Sequence, residues 1–402
     1  MILRYLLVAA LSLPCLWLST LSAYVNISAN NAGSAIGIWP ANGFAYSSAA
    51  EAILRDETRS NNKELPSRLN PRIGILAGKA FRLEPMDEKA VRQLALIAAQ
   101  QNGKAAARRV MLLASQMGRR DLVTNMWLVE DYGRAENLPK ALQHLDYALR
   151  TSSESQGILM SALVQAMANR EMVPQMRKLL ASDPSWRSAF WFGITEAKGP
   201  LQNALELRLA MVGEDVDIPE DSDRRLLENL VRIGSYADAF RLYRNVLLPR
   251  ENPSKAVQHV GFNRPALWPP LDWRVASEGA YSAWLNPDRS ELEVSLLGQT
   301  DAVFAERLIE LVPGTYRLSG RIAEDDQELS KALSLSLECA ESDAPKNWNI
   351  EVAFERGAAA KVVQLEDGGC RYFWLKVRGS PARDSLGYDA TFKAVTVTKL
   401  GR

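Results

Sequence analysis

The chain has 402 residues, more than one ordinary core accommodates, so two or three domains are expected. Lysine and arginine number 48 against 47 aspartates and glutamates, and a net charge of +1 argues against nucleic-acid binding or bulk electrostatic attachment to lipid. With 47% hydrophobic and 24% charged residues the sequence is globular, and its two histidines, His144 and His259, and three scattered cysteines argue against a metal cage. No metal or cofactor is expected.

After Arg4 the next charged residue is Glu51. Residues 5–25, mostly Leu, Ala, Val and Ser, would make a helix about 31 Å long, enough for a bilayer core of roughly 30 Å. Three readings compete: a cleaved signal peptide, a lipoprotein signal and an uncleaved anchor. A cleaved signal ends at a small-residue site, whereas Leu21-Ser22-Ala23 places a bulky Leu there, and Cys15 lies mid-run behind Pro14. The pattern favours a transmembrane anchor over residues 1–25. Arg4 as the sole flanking charge predicts a cytoplasmic N-terminus, hence a single-pass bacterial inner-membrane protein with its bulk in the periplasm. Residues 26–45 read as a linker.

Residues 46–248 read as a succession of short helices broken by Gly, Pro, Asn or Asp. Ala80, Ala114 and Ala148 are spaced by 34, as are Ala107 and Ala141, and Met111 and Leu145. Small residues recur where paired helices touch closely. Gly234-Ser235-Tyr236-Ala237-Asp238-Ala239 has the form G-x-Y-x-x-A, and Leu83-Glu84-Pro85 the form L-x-P. On these residues and this period the segment resembles the tetratricopeptide-repeat (TPR) family over about half the chain, and an all-α solenoid is the implied fold. Stacked pairs leave a concave surface lined by the first helix of each pair. By resemblance, Lys89, Arg92 and Gln100, then Met126, Glu130 and Arg134, line a groove for a protein partner. A competing reading makes them solvated faces of amphipathic helices.

The proline-rich stretch 249–270 reads as a linker, with His259 inside it. Beyond it the period changes to two. Leu292, Val294 and Leu296 alternate with polar residues, as do Tyr316, Leu318 and Ile322. The pattern continues in Leu333, Leu335 and Leu337, in Trp348, Ile350, Val352 and Phe354, and in Phe373, Leu375 and Val377. Residues 271–402 are therefore an expected all-β, jelly-roll-like sandwich of antiparallel sheets. Cys339 and Cys370 fall at strand ends, and in an exported protein a disulfide is the default for them.

Pro270 to Arg274, the phrase Val312 to Gly320 and the paired cysteines are similar to the carbohydrate-binding-module-like sandwich of anchored bacterial repeat proteins. That resemblance implies a role in exopolysaccharide assembly or export. In the sandwich, Tyr372, Trp374, Lys376 and Arg378 alternate against the core residues, which would place two aromatics and two cations outward as a polysaccharide contact, unless a loop or the repeats cover them.

No G-x-S-x-G elbow, phosphate loop, H-E-x-x-H or strand-linked G-x-G-x-x-G occurs, and His144 falls on the outward side of its helix. The expectation is a non-catalytic scaffold for surface-polysaccharide machinery. A lectin-like protein with the repeats as a stalk is the alternative, and a glycan-active enzyme follows behind it.

Overall fold

Helix starts follow the short polar residues. Asp87, Asp121 and Asn137 each accept a backbone N–H of the following turn, from Lys89, Thr124 and Lys140. Such caps satisfy donors that the first turn leaves without intrahelical partners. The computed structural model describes residues 12, 14–20, 22–23, 32–61, 65–66, 68–151, 153–197, 199–248, 260–341, 349–382 and 387–401.

The helices are α1 (Ala32–Ile38), α2 (Gly43–Ser60), α3 (Pro71–Leu83), α4 (Glu88–Asn102), α5 (Lys104–Met117), α6 (Leu122–Arg134) and α7 (Leu138–Leu149). They continue as α8 (Ser153–Ala166), α9 (Met172–Leu180), α10 (Arg187–Glu196), α11 (Leu201–Ala210), α12 (Glu220–Arg232) and α13 (Tyr236–Leu242), the last running into a π-helical turn, Tyr243–Leu247. Among the described residues no helix is long and apolar enough to cross a membrane. This overturns the spanning helix expected over residues 5–25 and, with it, the single-pass inner-membrane placement. Arg4 lies outside the described residues, as do residues 249–259 of the proline-rich stretch, His259 among them, and Trp348.

The chain divides into two compact units, residues 1–162 with 184–186, and residues 163–183 with 187–402. In the first, α2 packs on α3, α4 on α5 and α6 on α7. The spacing of 34 has a packing meaning here: Ala80, Ala114 and Ala148 are all fully excluded from solvent, and Ala107 and Ala141 are buried too. A methyl group at these positions lets neighbouring helices approach closely. His144, expected outward, is instead buried: its Nδ1 lies 3.0 Å from Asn125 Oδ1, and its ring stacks on Tyr132. Burial first, then the charge of Lys140, pushes the imidazole below its ordinary range.

The second unit joins α9–α13 to the sandwich. Gly234 ends α12 in the left-handed region at φ 77°, its N–H reaching Val231 O while Ser235 N reaches Leu230 O. Only a residue without a Cβ takes this conformation without strain, and it turns the chain into α13.

Among the described residues eleven strands follow: β1 (Arg274–Val275), β2 (Ser277–Glu278), β3 (Tyr281–Asn286), β4 (Glu291–Leu297), β5 (Ala302–Glu310), β6 (Gly314–Ile322), β7 (Leu333–Cys339), β8 (Asn349–Ala353), β9 (Ala358–Leu365), β10 (Tyr372–Gly379) and β11 (Gly387–Leu400). A short helix, α14 (Gln327–Ala332), is capped by Asp326. The strands form two antiparallel sheets ordered β1-β5-β10-β7-β8 and β2-β3-β4-β11-β6-β9. Leu335, Leu337, Phe373, Leu375 and Val377 of the first share one core with Leu292, Val294, Leu296, Leu318 and Phe392 of the second. Bulges at Val377/Arg378 and Phe392/Ala394 shift register, so that Phe392 and Val395 both face inward across an odd spacing.

Cys339 and Cys370 are joined in a disulfide spanning 31 residues between the end of β7 and the approach to β10. A crosslink closing a loop of that size stabilises by roughly 3–4 kcal/mol, mainly by restricting the unfolded chain. Cys370→Ser is therefore expected to lower sandwich stability by about 3 kcal/mol in denaturant titration under non-reducing conditions. An unchanged midpoint, with both thiols free in the wild-type protein, would sink this expectation.

Candidate functional site

The face marked out by β10 is placed as its alternation demands. Phe373, Leu375 and Val377 point into the core, while Tyr372, Trp374, Lys376 and Arg378 lie on the opposite face of the sheet. That face is not open. Tyr372 is buried beneath α13, with the Phe240 ring stacked on it and Tyr236 tilted against it. The Tyr236 hydroxyl donates to Ala340 O at 2.8 Å, beside the disulfide. Trp374 is half-buried, between Leu308 of β5 and Glu338 of β7 in register. The Lys376 ammonium donates to Glu338 Oε2 at 2.6 Å, and the Arg378 guanidinium pairs with the other carboxylate oxygen. Burial works against the Glu338 charge, but the Lys376 hydrogen bond and the two cations outweigh it and hold the carboxyl below its usual range. Tyr372 fastens α13 to the sheet, and Lys376 and Arg378 fasten β10 to β7 through Glu338.

The proposed groove positions also separate. Arg92 is buried, with its two terminal nitrogens on Glu51 and Asp121. Gln100 accepts Leu69 N–H at 2.9 Å and donates to Pro66 O, bracing the segment before α3. Met126 is half-buried; Lys89 is exposed, as are Glu130 and Arg134, which pair one helical turn apart. Of the six, Lys89, Glu130 and Arg134 present charge to solvent.

A different surface offers a concavity. Tyr281, Ala283 and Leu285 of β3 pack on the sandwich core, so the intervening residues Ser282 and Trp284 must face outward. Trp284 is 70% exposed, the most exposed tryptophan of the sandwich among the described residues. It stands opposite Glu293 of β4, which stands opposite Thr391 of β11. One row along, Ser282, Ser295 and Asp389 align across the same three strands. Glu324, in the segment after β6, accepts the Thr391 N–H with both carboxylate oxygens at 3.1 Å, which fixes its head beside β11. Together these residues line a cleft of ≈ 480 Å³. A flat ring flanked by carboxylates and hydroxyls can stack on the apolar face of a pyranose while polar groups meet its hydroxyls. Sequence reasoning passed over Trp284, although the polar–apolar alternation of β3 carries the signal.

A second cavity of ≈ 530 Å³ is lined by Arg244, Glu310, Tyr316, Arg371 and Lys399. Glu310 already pairs with Arg244 and, at 2.6 Å, with Arg371, so much of its positive charge is neutralised internally. Among the described residues, the one cluster whose ligand atoms converge as for a metal is Cys339, Glu341 and Cys370, and its two cysteines are bonded to each other.

No protein-family model matches this chain, and neither does any curated protein.

Proposed function

We propose that this chain is a non-catalytic scaffold for surface-polysaccharide assembly or export, whose helical part engages protein partners and whose sandwich holds the polymer. The observation that carries this reading is the Trp284 cleft: a tryptophan 70% exposed, opposite Glu293 and beside Ser282, Ser295 and Asp389. Exposing a ring of this size to water has no folding benefit, whereas stacking on a sugar recovers its apolar area. The helical part contributes exposed charge at Lys89 on α4 and at Glu130 and Arg134 on α6, a surface suited to a protein partner.

The test is affinity electrophoresis of the full chain through gels containing bacterial exopolysaccharides. The wild-type protein should be retarded, and Trp284→Ala should lose the retardation with thermal unfolding unchanged, because an exposed ring gives up few contacts. Retardation that survives the substitution would remove this site from the reading. Release of reducing sugar from the same polymers would replace a scaffold by an enzyme.

A further inference from the structure

The charges around Trp284 narrow the class of saccharide. The cleft holds three carboxylates, Glu293, Glu324 and Asp389, and no lysine or arginine is among the residues that line it. Glu293 and Asp389 have no cationic partner among the described residues, while Lys393 on the same face is held by Glu291. An acidic polymer would therefore meet uncompensated repulsion, and a neutral one would leave the carboxylates with hydroxyl partners only. A protonated amine gains from all three charges and from the face of the indole, which attracts ammonium groups.

A divalent cation is the competing occupant of any acidic surface, and the arrangement speaks against it. Ion coordination needs oxygens converging on one point at about 2.3–2.6 Å. Glu293, Glu324 and Asp389 do not converge: the one group of described residues meeting that condition is Cys339, Glu341 and Cys370. The three carboxylates are instead spread over β4, β11 and the segment after β6, around the ring. Glu324 is held by the Thr391 amide, so it meets an incoming cation without first being ordered.

We infer that the Trp284 cleft recognises amine-bearing saccharides, polymers of glucosamine type in which free ammonium groups sit between Glu293, Glu324 and Asp389 while the sugar ring stacks on the indole. This rests on the reading of the cleft as a polysaccharide site and adds the charge of the polymer. The experiment compares a glucosamine hexamer with its fully N-acetylated counterpart by calorimetry on the full chain, on the acid side of the amine's titration. The amine hexamer should bind at least about tenfold more tightly, with the gap narrowing as salt is added. Glu293→Gln combined with Asp389→Asn should erase the preference while retaining N-acetylated binding. Both side chains are exposed, and an unchanged thermal transition would show that the fold is intact. Equal or tighter binding of the N-acetylated hexamer, or binding of neutral or acidic polymers alone, overturns the charge assignment and leaves the polysaccharide reading standing. Binding of neither hexamer, with Trp284→Ala indistinguishable from wild type on every polymer, overturns both.

Discussion

Replacing Arg92 by alanine is expected to destabilise the first compact unit by about 3–5 kcal/mol, the range for breaking a buried ion pair from one side. The Arg92 side chain is 3% exposed and ties Glu51 of α2 to Asp121, the cap of α6, from its own place on α4. Removing it leaves two largely desolvated carboxylates facing a cavity. Gln93 adds a second link, its Nε2 donating to Ser47 O at 2.9 Å and to Glu51, so α2 and α4 would lose part of a connected network. Exchange of amide hydrogens over α4 and α6 in the full chain reads this loss locally, which matters because two units need not unfold together. Arg134→Ala is the control: its pair with Glu130 is more than half exposed on both sides, and such a pair contributes at most about 0.5 kcal/mol. Adding Glu51→Gln and Asp121→Asn to Arg92→Ala should recover part of the loss, since the stranded charges are then neutral. Equal protection in wild type and Arg92→Ala would mean that the network is ornamental.

Arg92 also shows where sequence reasoning stops. A helical period identifies which face of α4 is apolar, but it does not register that one long side chain on the edge of that face turns inward to meet acids 41 and 29 residues away. The same holds for His144, assigned to the solvated side and found stacked on Tyr132 with Asn125 as its partner. Long-range polar partners leave no periodic trace. Hydrophobic alternation does: the inward positions of β4, β6, β7 and β10 were all legible, because a strand's side chains alternate whatever the surrounding fold. What alternation cannot supply is cover. The outward parity of Tyr372 was readable, whereas its burial depends on α13, more than a hundred residues earlier in the chain. Trp284 is the converse case, outward by the same parity with nothing of the described chain placed over it. The membrane anchor was read from hydropathy, which records composition, whereas among the described residues no helix is long and apolar enough to cross a membrane.

Adjacent positions on β10 separate these two kinds of information in one measurement. Phe373→Ala should cost the sandwich about 3–5 kcal/mol, the usual loss for deleting a core aromatic. Its side chain is fully excluded from solvent, and its register partners are Ile309 on β5 and Cys339 on β7. Trp374→Ala should cost less, about 1–2 kcal/mol, because a half-buried ring on the outer face gives up contacts on one side only. Tyr372→Ala should differ from both in kind. Its ring is what Tyr236 and Phe240 rest on, so the loss should appear as weakened amide protection in α13 as well as in the strand. Denaturant titration of the three variants, with exchange over residues 236–247 as the second readout, gives the ordering directly. A register slipped by one residue would exchange the two faces, making Trp374→Ala the severe variant and Phe373→Ala the mild one. If Tyr372→Ala leaves protection in α13 unchanged, helix docking does not depend on that ring, and the outer face of β10 returns as an open aromatic surface beside the Lys376–Glu338–Arg378 cluster.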